Sequence, residues 1–206
     1  NMLHDETLDL RRTELKNSVY QDWGVFDGFL LGRDSAKNSP LAITPIIKIG
    51  KQEVGIDKFE HMFGMGRRYF NSFYLRKKTM KKTLKVGIFK EKSVLGGNFM
   101  ATGVFAYADL AANFNGMRFW NHMLQKRDDV LGEEYNIGPY IKCVDSKWEV
   151  VKENPLDFTN YMDMSMDESV NCSKFASNGG VKKFNKSLKR LSRKYQVNVS
   201  CPMKNS

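Results

Sequence analysis

The sequence predicts an α+β fold, mostly helical, in a single domain with a small β element. Three observations predict it. Apolar residues recur at helical spacing in three stretches, beginning at Ile56, at Tyr107 and after Gly179-Gly180. The extended runs "LAITPIIKIG", "LKVGIFK" and "YIKCVDSKWEVV" are too short for more than a minor sheet. No internal repeat or long linker divides the 206 residues, a length that suits one domain with a real core.

In chain order, residues 1–50 read as a helix followed by loop. "GRDSAKNSP" is turn chemistry, and the proline in "LAITPIIKIG" keeps that run extended. From Ile56 a helix is predicted to about Lys78, with Ile56, Phe59, Phe63, Phe70 and Phe73 as its apolar stripe. "LKVGIFK", residues 84–90, alternates and reads as a strand. "LGGNFMATG" is a glycine-rich connection. The second helix is expected from Tyr107 to Lys126, burying Leu110, Phe114, Met117 and Leu124. Residues 140–151 read as a hairpin turning at Asp145 and Ser146. A basic C-terminal helix and tail occupy residues 179–206, the helix ending near Tyr195 with Val181, Phe184, Leu188 and Leu191 inward.

The formal charge is +10, which suits an anionic partner such as nucleic acid, a membrane or a cell wall. The basic helix after Gly180 has few aromatics to stack bases, so nucleic acid is not the expected partner. No run approaches the roughly 20 apolar residues of a membrane span, so no integral membrane segment is expected. Cys143, Cys172 and Cys201 include no C-x-x-C pair. Their sparse C-terminal placement suits an exported protein with one disulfide, Cys172 pairing with Cys143 or Cys201, and a leader absent from this chain.

Chemistry concentrates in two stretches. In "GIDKFEHMFGMGRRYF" Glu60 sits at the edge of the apolar stripe. A carboxyl there would be partly desolvated, the condition required of the general acid in glycoside hydrolysis. Gly64 and Gly66 would admit a bulky ligand, or a neighbouring helix. Asp57 and His61, four apart, share a face. They would scaffold Glu60, or with a third ligand such as His122 would seat a divalent metal; no metal or cofactor is expected. In "ADLAANFNGMRFW" the residues Asp109, Asn113, Gly116 and Trp120 recur at three-to-four spacing. An acid, an amide, a gap and an indole on one stripe could bind a sugar, or make an interhelical contact. The two faces together would close a cleft.

The blocks "DKFEHMFGMGRRYF", "TGVFAYADLAANFNGMRFW", "YIKCVDSKWEV" and "MDESVNC", in this order over residues 57–172, resemble a family of exported bacterial proteins. That family includes the deacetylation-specific lysozyme of predatory bacteria. The resemblance implies a lysozyme-like fold of the goose type, with a catalytic glutamate at Glu60 and a tyrosine, Tyr69 or Tyr74, shaping the site. No second carboxylate stands at a fixed spacing; Asp109 is the candidate. The expected function is therefore a monomeric glycoside hydrolase that cuts peptidoglycan glycan strands, in the periplasm or outside the cell. The acidic run "DMSMDES" would favour deacetylated strands if it lines the cleft. A non-catalytic envelope protein that binds wall glycan or a protein is the alternative, and a basic nucleic-acid binder is a third.

Overall fold

The computed structural model describes residues 46–50, 52–55, 57–92, 103–166 and 173–195. The predicted N-terminal helix, Cys172, Cys201 and residues 167–169 of the acidic run at 157–169 lie outside the described residues. The architecture is α+β. Strands β1 (Ile46–Ile49) and β2 (Gln52–Gly55) pair as an antiparallel hairpin, with Gly50 in its turn at φ 59°. Helix α1 covers residues 57–75, α2 Met80–Lys92, α3 Tyr107–Leu124 and α4 Asn178–Tyr195. Strands β3 (Val104–Phe105) and β6 (Lys174–Phe175) pair antiparallel with each other, and between them in the chain β4 (Ile141–Val144) and β5 (Lys147–Val150) form a separate antiparallel hairpin.

Helix α1 runs as predicted, ending near Leu75, but it twice widens to π geometry, at His61–Met65 and Asn71–Leu75. The Gly66 amide donates to the His61 carbonyl, and the Arg76 amide to that of Asn71. Each widening rotates later side chains around the axis. The buried face is consequently not the predicted stripe. Lys58, Met62, Gly66 and Tyr69 are buried, whereas Phe63 is exposed and Phe59, Phe70 and Phe73 are half-buried.

Residues 84–90 are helical, not a strand. Their alternation of lysine with β-branched residues is not a buried/exposed alternation. Thr83, Gly87 and Glu91, each four apart, face inward, and Lys85, Val86, Ile88 and Phe89 face out. The hairpin at 140–151 forms as expected. Asp145 and Ser146 take φ of 46° and 63°, the positive pair that fits the twist of a two-residue turn.

Helix α3 is central and buried on most of its circumference, including Ala108, Ala112, Met117 and Phe119. The predicted apolar face is only partly the buried one, since Leu110, Phe114 and Leu124 are half-buried. One side packs in a core with Val54, Met62, Tyr140, Tyr161 and Met166; Met117 joins Tyr69 and Tyr74 in a second. In α4, Phe184 and Leu188 are buried and Val181 half-buried, with Lys182, Lys186 and Lys189 outward as expected.

Candidate acid–base site

Two glycines bring α1 against α3. A Cβ on Gly66 would lie 2.6 Å from the Gly116 Cα, and one on Gly116 would lie 2.1 Å from the Met62 carbonyl oxygen. The backbones therefore touch, and both glycines serve helix packing rather than substrate access. A Cβ on Gly64 would meet nothing within 4 Å.

N-terminal to this crossing, the two helices oppose polar side chains. Lys58 is fully buried, and its ammonium lies 2.6 Å from Asp57 Oδ2 and 2.6 Å from Asp109 Oδ1. His61 Nδ1 donates to Asn113 Oδ1 at 3.1 Å and lies 3.8 Å from Glu91 Oε1. Its Nε2 is 3.4 Å from Asp109 Oδ2. Helix α2 brings in Glu91, the end of its inward Thr83-Gly87-Glu91 row. A Cβ on Gly87 would fall 1.9 Å from the Tyr69 hydroxyl, so that glycine lets the phenol lie against α2. The hydroxyl donates to the Leu84 carbonyl at 3.3 Å. Asp57 and His61 are the members that reach solvent; Lys58, Glu91, Asp109 and Asn113 lie behind them.

Charge and burial set the protonation of this group. Burial pushes the Glu91 carboxyl up, the neighbouring Asp109 carboxylate adds to the rise, and the result is about 7. Burial alone would lower His61, but Asp109 and Glu91 outweigh it and hold the imidazole above its ordinary 6.5. Burial also raises the Tyr69 phenol to about 12, against a lowering contribution from Asn113. Near neutrality the Glu91 carboxyl is thus shared between its protonated and ionised forms, and the His61 imidazole is favoured in its charged form. Glu91 Oε2 is buried without a hydrogen-bond partner among the described residues.

Asp57, His61 and Asp109 each offer one ligand atom, all within 4.8 Å of one another, a spacing that could hold a divalent cation. The Lys58 ammonium is already in contact with both carboxylates, so the chain itself supplies the positive charge such an ion would bring. His122, the third ligand considered from sequence, is elsewhere. It lies 2.8 Å from Asp129 Oδ2 and 2.8 Å from the Tyr161 hydroxyl, in a buried network that Arg118 completes at 2.8 Å from Asp129. Burial would raise Asp129, but bonds from His122, the Leu131 amide and Arg118 together hold it low.

Of the residues singled out from sequence, Asp57, His61, Asp109, Asn113 and Tyr69 converge here. Glu60 does not. It is solvent-exposed, so the partial desolvation expected of it is absent. Tyr74 is buried at the other end of α1, near Asp129 and Val130. Trp120 lies seven residues beyond Asn113, about 10 Å along the axis. Its indole donates to the Phe63 carbonyl at 3.1 Å, and Arg67 lies over its ring at 5.9 Å. Lys58 and Glu91 were missed. The row Thr83, Gly87, Glu91 was the available signal, three small or polar residues at one-turn spacing. Cys143 is exposed and free on β4, and the other two cysteines of the expected disulfide, Cys172 and Cys201, lie outside the described residues. None of the described helices is long and apolar enough to cross a membrane. No protein-family model, curated protein or solved structure matches the chain.

Proposed function

We propose that this protein is a hydrolase whose acid–base centre is the His61–Glu91–Asp109 group, acting on peptidoglycan glycan strands within a lysozyme-like fold. The observation that carries the chemistry is the convergence of three helices on one imidazole. His61 has a carboxyl group toward each ring nitrogen and is the member of that trio that reaches solvent. An imidazole held charged in this way can protonate a leaving oxygen near neutral pH. Glu91 and Asp109 are positioning residues that maintain its charge and orientation. Asp57 is the rim carboxylate available to orient water. Glycan as substrate draws its support from the four blocks that resemble the lysozyme family and from the net charge of +10, which favours an anionic wall. On this reading Glu60 has no part in the chemistry.

The second reading, a non-catalytic envelope protein, draws on the burial of Lys58, Glu91, Asp109 and Asn113. Buried ionic groups can serve structure alone. Digestion of purified native and deacetylated sacculi, with products analysed by mass, separates the two. The hydrolase reading expects chain cleavage that His61→Gln lowers roughly 10²–10⁴-fold and that Glu60→Gln leaves near native. It also expects Glu91→Gln to shift the alkaline limb of the pH profile. Folded His61→Gln protein that still cleaves at the native rate would remove His61 from the chemistry. No cleavage of either substrate by the native chain would leave the binding reading.

A further inference from the structure

Helix α2 is amphipathic in the inverted sense. Inward it presents Thr83, Gly87 and Glu91; outward it presents Val86 and Phe89 among lysines. Phe89 is 72% exposed, and Leu75, just before the helix, is 62% exposed. Residues 76–92 carry eight Lys and Arg, all but Lys90 exposed, and the single acid among them, Glu91, is buried. The surface of this segment is therefore wholly cationic, with aliphatic and aromatic side chains projecting between the charges. Lys85, Phe89 and Lys92 follow at three-to-four spacing and so share one outward stripe.

We infer that the outward face of α2, with Leu75, is a docking surface for an anionic lipid bilayer. Charge complementarity selects the anion, since each basic side chain near such a surface adds to the attraction. The projecting apolar groups select a bilayer among anionic partners. Lysine stems lie along the acyl boundary while Phe89 and Leu75 enter it. Nucleic acid would call for several aromatic platforms, and this face offers one. A peptide would call for a groove, and the outward side of a single helix is convex. The inference stands on this helix and is independent of the hydrolase reading.

The test is sedimentation of the full chain with vesicles of phosphatidylcholine alone, and of phosphatidylcholine mixed with phosphatidylglycerol. Binding is expected only to the mixed vesicles, and to weaken with salt. Leu75→Ser with Phe89→Ser, which leaves the charge unchanged, should weaken it about tenfold or more. Replacing Lys81, Lys82 and Lys85 by Gln should do the same. Removing equal charge from α4, with Lys182, Lys186 and Lys189 changed to Gln, should have little effect. A Phe89→Trp chain should gain fluorescence on binding and be quenched by lipids brominated on their acyl chains. Absence of binding to the mixed vesicles would overturn the inference. So would undiminished binding by the folded double serine variant, equal losses from the two lysine triples, or a Phe89→Trp indole that brominated chains leave unquenched.

Discussion

Replacing Glu91 by glutamine keeps the shape of the side chain and removes the proton that its surroundings retain. In the folded protein Glu91 titrates at about 7, against an ordinary 4.5. Each unit of such a difference corresponds to about 1.4 kcal/mol, so the whole shift amounts to roughly 3 kcal/mol. Its sign follows from proton uptake. Between those two values the folded chain holds a proton that the unfolded chain releases. Stability is therefore full below pH 4.5, falls as pH rises, and has lost this contribution above about pH 7. His61, also raised, acts in the same direction: its contribution is present below 6.5 and fades as pH passes through its higher folded value. Urea unfolding of the native chain should thus give a larger free energy at about pH 5 than at about pH 8. In Glu91→Gln that difference should shrink by roughly 3 kcal/mol, leaving mainly the His61 part. The comparison is of slopes, so any constant packing cost of the amide cancels. Parallel pH dependences in the two chains would refute the reasoning, because Glu91 would then ionise in the fold as it does in the unfolded chain.

Lys58→Met should lower stability by roughly 3–5 kcal/mol in the same unfolding assay, since it leaves Asp57 and Asp109 without the cation between them. Gly116→Ala should cost about 1–3 kcal/mol or more by overpacking against the Met62 carbonyl, whereas Gly64→Ala, with open space around it, should raise the melting temperature slightly. On the hydrolase reading, dialysis against a chelator should leave activity unchanged, because Lys58 already contacts both carboxylates of the possible metal set; activity lost to the chelator and restored by zinc would show that an ion takes that place. Cys143 should react with a thiol reagent in the native protein, without denaturant, as its exposure dictates.

How much of this was legible in the sequence depended on whether the signal was local. The turn at Asp145-Ser146 is legible because both are turn-forming residues and the strands flank them closely. Helix α1 was legible from its apolar spacing, but its inward face was not. Lys58 belongs by residue type on a surface, and only Asp57 and a carboxylate from a distant helix make its burial tolerable. Apolar periodicity does not reveal helix α2, because this helix buries its small and polar residues instead. The same fact hid Glu91, which stands between two lysines in "FKEK" and carries no local mark of burial. Asp57, His61, Asp109 and Asn113 were all picked out by one-turn spacing, yet the spacing gave no reason to prefer them over Glu60. Burial made that choice, and burial belongs to the packed structure.

The glycine crossing of α1 and α3 can be considered as a fulcrum. Asp109 lies seven residues from Gly116, about 10 Å along the axis. A tilt of only about 5° at the crossing would swing Asp109 by about 1 Å relative to His61. Displacements of that size are enough to disable positioned catalytic groups. Where side chains separate two helices, such tilts are absorbed by rotamer changes. Here backbone meets backbone, and there is no compliant layer between them. The leverage that makes the polar group sensitive to its pivot is thus held by the stiffest contact the chain can make, and the alignment of His61 with Asp109 is governed from a point at which neither residue is present.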